Sequence, residues 1–383
     1  MAPPNSDNDI EISPDCDPIL ARPDPNITIV KGRGTVSNGI SGRFDDIKRD
    51  VDGDWRDNSA EIDGPTCKIR TDVTIEAPKT IITFNKSPDI PFDRSINAYR
   101  GCEHGCVYCF ARPSHAYHNL SPGLDFETKL FAKPSAAELL KHELAAPNYT
   151  VRPIAIGTNT DPYQPIEKRY QITRSILEIM LETRHPIGIT TKSDRILHDI
   201  DLLTDLAALQ LTSVALSITT LDNAIARTLE PRAASPKKRL EAIRLLSAAG
   251  VSCYVNIAPV IPAITDHELE HIAAAAAEAG ATGLAAIPIR LPWEVAPLFE
   301  EWLAAHFPDR AAKVMMIIRS LRGGKRNDPR FFHRRRGQGP WADLLKNRME
   351  RLRSKYGFEK NRYNLRTDIF IPPDPHGQMR LDL

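Results

Sequence analysis

From about residue 95 the chain alternates short runs of β-branched and small apolar residues with longer segments whose apolar positions recur at helical spacing. The short runs predict strands at residues 95–99, 154–156, 187–190, 213–217, 252–257 and 283–289. Helices between them declare their ends. Ser235 can cap a helix with Pro236 at its first position and Gly250 just beyond its last. Thr265 and Glu268 spell a capping box, and Gly280 closes the Ala-rich helix that they open. A further helix is expected over residues 341–355. Strands alternating with helices are the pattern of consecutive βα units around a parallel sheet. Six such units in roughly 200 residues are too few for a closed eight-stranded barrel and predict an open, partial (β/α)6 barrel. In that α/β class, functional groups collect where the loops converge at the C-terminal ends of the strands.

The flanks read differently. Residues 1–26 are rich in Pro, Asp, Asn and Ser and are expected to be disordered, because they cannot bury enough apolar surface to offset their ordering entropy. Residues 28–64 mix Gly, Asp and Arg with isolated apolar residues such as Ile47 and Trp55 and show no sustained period. After about Lys313 the periodicity weakens. Eight basic residues (Arg319, Arg322, Lys325, Arg326, Arg330, Arg334, Arg335 and Arg336) then stand against one acid, Asp328. The expected organisation is an irregular N-terminal extension over residues 1–75, the partial barrel over 76–312, and a basic C-terminal extension with one helix over 313–383.

The 383 residues, 42% hydrophobic and 26% charged, are enough to bury a cofactor. A formal charge of +1 provides no overall field toward nucleic acid or an anionic membrane, so any such preference must be local. No apolar run approaches the roughly 18 residues needed to cross a bilayer, and the first 25 residues lack the apolar segment of a signal peptide. A cytoplasmic address with no membrane partner is therefore expected. Six cysteines are too sparse for a disulfide scaffold, and three fall within eight residues, which points to metal in a reducing compartment. Cys16, Cys67 and Cys253 are scattered.

Cys102-x3-Cys106-x2-Cys109 is the decisive pattern. Three thiolates on one short loop can each bind an iron of a [4Fe–4S] cubane and leave the fourth iron without a protein ligand. S-adenosylmethionine (SAM) can chelate that iron through its amino and carboxylate groups, placing its sulfonium beside the cluster for one-electron cleavage. Gly101 and Gly105 help the loop turn tightly. A zinc site would instead need a fourth ligand such as His104, His115 or His118, and a ferredoxin-type carrier would need a distant fourth cysteine, Cys67 or Cys253. Tyr108 sits where its ring can pack on an adenine or serve simply as core.

The run SINAYRGCEHGCVYCFARP (residues 95–113), with GTNTDPYQP (157–165), TKS (191–193), LEPRA (229–233) and PVIP (259–262), resembles the spore photoproduct lyase-like branch of the radical SAM superfamily, a group labelled DNA repair photolyase homologues. The resemblance covers about residues 31–346. It implies a partial (β/α)6 barrel, a [4Fe–4S] cluster and SAM. It also implies that Asn159 approaches the methionyl moiety of SAM, that Lys192 pairs with its carboxylate, and that Ser217 supplies a hydrogen bond on the ribose or carboxylate side. Glu230-Pro231-Arg232 reads either as an orienting element or as a surface ion pair, and Asp161 before Pro162 as a turn residue. Two departures stand out. The lyases proper place a hydrogen-donating cysteine where this chain has Thr158, and a tyrosine that relays hydrogen where it has Phe110. A threonine O–H is too strong a bond to replace the thiol, and Phe110 carries no exchangeable hydrogen.

The expected function is reductive cleavage of SAM to a 5′-deoxyadenosyl radical acting on an unidentified substrate. Nucleic acid is a candidate, because Phe331 and Phe332 interleave the basic stretch. Single electrons would come from an external donor such as flavodoxin or ferredoxin, since nothing in the chain resembles a flavin site or a second cluster. The alternative is a non-catalytic iron–sulfur electron carrier or sensor on the same fold.

Overall fold

The computed structural model describes residues 32–35, 37–39, 41, 43, 70–359 and 364–374. The expectation of disorder over residues 1–26, together with Cys16, Ile47, Trp55 and Cys67, lies outside the described residues.

The strands are β1 (Asp72–Ile75), β2 (Ile82–Phe84), β3 (Arg94–Ile96), β4 (Tyr99–Arg100), β5 (Lys129–Ala132), β6 (Ile154–Ile156), β7 (Ile187–Thr191), β8 (Thr212–Ser217), β9 (Cys253–Val260) and β10 (Gly283–Pro288). Seven of them form one sheet in the order β10-β9-β8-β7-β6-β3-β2. The six strands from β3 to β10 in this sheet pair in parallel, and β2 joins antiparallel to β3 as one edge. With β2 and β10 at opposite edges the sheet is open, as the βα count predicts. Every residue of β8 is buried, which is why its sequence, TSVALS, does not alternate.

The main helices are α1 (Ala136–Leu144), α2 (Ile172–Glu182), α3 (Ile200–Ala208), α4 (Pro236–Ala248), α5 (Leu269–Glu278), α6 (Val295–His306), α7 (Pro308–Leu321) and α8 (Pro340–Tyr356). Ser235 caps α4, its side chain accepting from Lys238 N. The capping box expected at Thr265 and Glu268 does not form. Thr265 Oγ1 accepts from Ile261 N at 3.0 Å, while the Glu268 carboxylate accepts from Leu221 N at 2.7 Å and from the Thr220 hydroxyl. Both side chains are taken by the loop after β8 or by the chain before the turn, and a 3-10 turn, Asp266–Glu268, leads into α5.

The first predicted strand is also split. β3 ends at Ile96, and Tyr99–Arg100 leaves for a small three-stranded sheet with β5 and β1. Asn97 explains the break. Its side chain bonds Thr158 Oγ1 at 3.2 Å and Asn159 N at 2.9 Å, and its carbonyl accepts from Lys133 Nζ at 3.0 Å, so these contacts replace ladder bonds.

Two apolar clusters support the sheet. One joins the strands to α1–α5 and takes in Leu345, Met349 and Leu352 of α8. The other packs α6 and α7 (Phe299, Trp302, Val314 and Ile318) directly under Cys106, Val107 and Tyr108. Burying each such large side chain contributes about 1.5–3 kcal/mol. Where the sequence shows weakening periodicity, α7 runs unbroken across residue 313.

Candidate functional site

The cysteine loop leaves β4 and turns three times, once at each cysteine. Gly105 N donates to Cys102 O at 3.4 Å, Cys109 N to Cys106 O at 3.2 Å and Arg112 N to Cys109 O at 3.2 Å. Gly101 and Gly105 take φ of +71° and +67°, values that residues with a Cβ adopt at a cost. The loop is pinned on several sides. Thr160 Oγ1 donates to Gly101 O at 2.6 Å, Gln164 Oε1 accepts from Glu103 N at 2.9 Å, and Val107 N donates to Leu229 O at 3.1 Å. Beneath it, Arg112 is fully buried. Its guanidinium donates to the carbonyls of Cys106, Pro122 and Gly123 at 2.9–3.0 Å and pairs with the equally buried Glu127 at 2.6 Å.

A short N-terminal segment completes the enclosure. Glu127 also accepts from Gly34 N at 3.1 Å and from Thr35 N at 3.2 Å, and Arg33 Nη1 donates to its carbonyl at 3.0 Å. Farther along, Ser37 Oγ reaches Glu301 at 2.7 Å and Arg43 pairs with Glu294 at 2.7 Å, tying the segment to α6 and the turn before it. A Cβ added to Gly34 would lie 1.6 Å from Gly105 O, so this backbone touches the cysteine loop directly. Gly34→Ala is therefore expected to displace the loop and lower the melting temperature by several degrees. Gly39→Ala, where a Cβ meets nothing within 4 Å, should leave the melting curve in place.

Two buried acids organise the neighbouring loops. Asp161, between β6 and α2, accepts from Thr191 Oγ1 at 2.7 Å, from Lys192 N at 2.8 Å and from Tyr163 N at 3.0 Å, and faces His104 Nδ1 at 3.3 Å. Burial opposes its charge, but His104 and these donors hold its pKa down to about 2. Glu230 is 3% exposed, not a surface residue. It accepts from the Tyr108 hydroxyl, from Thr219 Oγ1 at 2.7 Å and from the Arg239 guanidinium. Burial again opposes the charge, and Arg239 and Lys192 hold the pKa to about 2. Arg232, the other charged residue of that motif, pairs with Glu103 at 2.8 Å.

The anticipated contact residues come to the same edge. Asn159 lies at the end of β6, its backbone held by Asn97. Lys192 follows β7 with its Nζ 5.7 Å from the centroid of the Tyr108 ring. Burial disfavours its charge, yet Cys106 and Glu230 nearby raise its pKa. Ser217 ends β8, buried, its carbonyl accepting from Arg239 Nη1 at 2.8 Å. Tyr108 is buried with its hydroxyl committed to Glu230, so the ring is fixed in place.

Cys102, Cys106 and Cys109 are not disulfide-bonded. Burial, with Asp161 and Cys106 adding to it, pushes the Cys102 thiol well up, and burial pushes the Cys106 thiol up to about 12. Such thiols ionise only against strong positive charge at sulfur, which is what iron supplies, and an all-thiolate donor set suits an iron–sulfur cluster. The residues present thus fit a three-cysteine [4Fe–4S] cluster. The histidines that a zinc site would require point elsewhere: His104 to Asp161, His115 Nε2 to Lys129 O at 2.8 Å, and His118 against the Phe131 ring. Among the described residues no three His, Cys, Asp or Glu side chains are placed to hold a single ion.

Arg112, Glu127, Asp161, Gln164, Glu230 and Arg239 carry most of this framework, and sequence reasoning either passed over them or left their roles open. The quoted motifs contain Arg112 (residues 95–113), Asp161 and Gln164 (GTNTDPYQP) and Glu230 (LEPRA), whereas Glu127 and Arg239 fall outside all of them.

Comparison with known proteins agrees with this geometry. The sequence model of the Radical SAM superfamily matches residues 96–276. An uncharacterized protein of Mycobacterium tuberculosis is 37% identical over 241 residues, covering 62% of this chain and 71% of that protein. An uncharacterized protein of Methanocaldococcus jannaschii is 31% identical over 173 residues, covering 45% of this chain and 62% of that protein. The structure of spore photoproduct lyase complexed with dinucleoside spore photoproduct superposes with a TM-score of 0.53 at 15% identity, covering 74% of this chain and 79% of that chain, a likeness of fold. No helix among the described residues is long and apolar enough to cross a membrane. With its cysteine motif at the C-terminal edge of an open parallel sheet, the chain belongs to the radical SAM superfamily of enzymes.

Proposed function

We propose that Cys102, Cys106 and Cys109 hold a [4Fe–4S] cluster and that Tyr108, Asn159, Lys192 and Ser217 contact SAM. Bound together, cluster and SAM supply a one-electron cleavage to methionine and a 5′-deoxyadenosyl radical, the electron coming from an external donor such as flavodoxin or ferredoxin. The protein's own residues prepare the site. Arg239 neutralises Glu230, so the Lys192 ammonium remains available to a carboxylate. Glu230 fixes Tyr108, and Asp161 fixes the backbone at Lys192. The single observation that carries this reading is the approach of Lys192 Nζ to the ring of Tyr108 within the three-thiol loop, with the Tyr108 hydroxyl held by Glu230 and the Lys192 backbone held by Asp161.

The substrate reading favours nucleic acid, supported by the basic stretch after α7 and its exposed Phe331 and Phe332. The route of the photoproduct lyases proper is disfavoured. Thr158 stands where they have the hydrogen-donating cysteine, and its hydroxyl is engaged with Asn97 at 3.2 Å. Incubating anaerobically reconstituted protein with SAM and dithionite tests the reading. Formation of 5′-deoxyadenosine and methionine is expected; an intact cluster that produces neither would identify a carrier or sensor instead.

A further inference from the structure

Arg290 lies just beyond β10, on the edge of the sheet that carries the cysteine loop. Its guanidinium stands 5.5 Å from the centroid of Phe110, the residue after Cys109, and that ring is 51% exposed. Behind it, Arg322 donates to Ile289 O at 2.7 Å and to the carbonyls of His333 and Arg334 at 2.8 and 3.1 Å, which fastens the basic turn His333–Arg336 against the end of β10. On its other side this turn is held by Asp89, which receives Arg334 Nε at 2.7 Å and, through its carbonyl, Arg335 Nη1 at 2.6 Å.

The result is an imbalance of charge. Arg290 has Arg334, Arg322 and Arg335 as electrostatic neighbours and Asp89 as the opposing acid. Burial and those three arginines lower its pKa to about 10. Its Nε is buried without a hydrogen-bond partner. A guanidinium crowded by like charges and left with an unsatisfied buried donor is costly, and an anion placed against it relieves both penalties. Forked guanidinium donors match the oxygens of a phosphate group, and several converging cations favour phosphate over a singly charged carboxylate.

We propose that Arg290, backed by the charges of Arg334 and Arg335 whose guanidinium groups Asp89 holds in place, is a seat for a phosphate group of the substrate, and that Phe110 offers its exposed face to the attached base or other flat group. This inference rests on the reading above that the basic stretch after α7 meets a nucleic-acid substrate. It deepens that reading by naming a phosphate-bearing substrate and the residues that seat it. Arg322 shapes the seat, because its two terminal nitrogens are directed at the carbonyls of Ile289, His333 and Arg334, while its Nε, like that of Arg290, is buried without a partner.

The test is binding by the anaerobically reconstituted full-length protein, without SAM or reductant, so that it reports docking alone. The probes are a fluorescein-labelled 12-nucleotide single strand of thymidylate and, in competition, thymidine 5′-monophosphate and inorganic pyrophosphate. Arg290→Gln is expected to weaken oligonucleotide binding about tenfold and to reduce the salt slope by about one. Arg290→Lys should recover part of the affinity, and Lys237→Gln, an equal loss of charge on the outer side of α4, should change it less than twofold. If Arg290→Gln does not fold, judged by its melting curve, Arg335→Gln on the same turn carries the comparison with an expected loss of several-fold. Oligonucleotide affinity far above that of the small competitors would identify a strand as the source of the phosphate; complete displacement by either competitor at equal concentration would identify a small phosphorylated molecule. Absence of binding by the wild-type protein to every probe, or equal affinity in the wild-type, Arg290→Gln and Arg335→Gln proteins, overturns the proposal. SAM cleavage by the wild-type protein is scored separately, so failure of the radical chemistry and failure of the phosphate seat are told apart.

Discussion

Cys106→Ala is expected to abolish SAM cleavage and to remove the brown absorbance of a fully loaded cluster. The thiol occupies the middle of the loop, and its neighbours leave nothing to replace it. Its residue is 8% exposed and packs in the apolar cluster that contains Val107, Trp302 and Phe299. Among the described residues the one other cysteine, Cys253, lies buried in β9, away from this loop. Losing one of three thiolates leaves two irons of a cubane without protein ligands, which favours loss or conversion of the cluster. Iron and sulfide analysis, the visible spectrum and 5′-deoxyadenosine formation measure the outcome together. A full complement of iron and normal turnover in Cys106→Ala would contradict the ligand assignment.

Glu127→Gln is expected to cost about 3–5 kcal/mol, because it strands the charge of the fully buried Arg112. The melting temperature of the protein should fall by on the order of 10 °C. Removing both partners, as in Arg112→Met with Glu127→Leu, often restores stability when an ion pair stands alone. Here it should not. Arg112 also satisfies the carbonyls of Cys106, Pro122 and Gly123, and Glu127 satisfies the amides of Gly34 and Thr35. Those five backbone groups would lose their partners in the double variant. A double variant as stable as the wild type would show that the pair is dispensable to the loop.

Much of the framework was legible before any coordinates. The six parallel strands fall where the short apolar runs put them, since a strand buried on both faces does not alternate apolar with exposed polar positions, and β8, buried at every residue with its polar residues limited to Thr and Ser, shows this. Ser235, Pro236 and Gly250 marked α4 because cap chemistry is local. Thr265 and Glu268 misled for the converse reason: a capping box competes with any better partner that the fold brings near, and here Ile261 N and the Thr220–Leu221 loop do so. Asn97 likewise gave no sign that it would end β3 by bonding Thr158 and Asn159 of the loop after β6.

What the sequence determined by itself was the spacing of three cysteines, the βα rhythm that sets them at a strand end, and through both the chemistry open to the site. These are properties of neighbours along the chain, governed by loop reach, cap geometry and hydrophobic period. The burial of Glu230 against Arg239, the enclosure of the cysteine loop by Gly34 and Thr35, and the gathering of Arg290 with Arg334 and Arg335 were decided by the tertiary structure alone. Each joins charged or backbone groups from separate elements, and whether a charge is solvated or paired depends on what folding places within hydrogen-bonding reach, which no local pattern encodes.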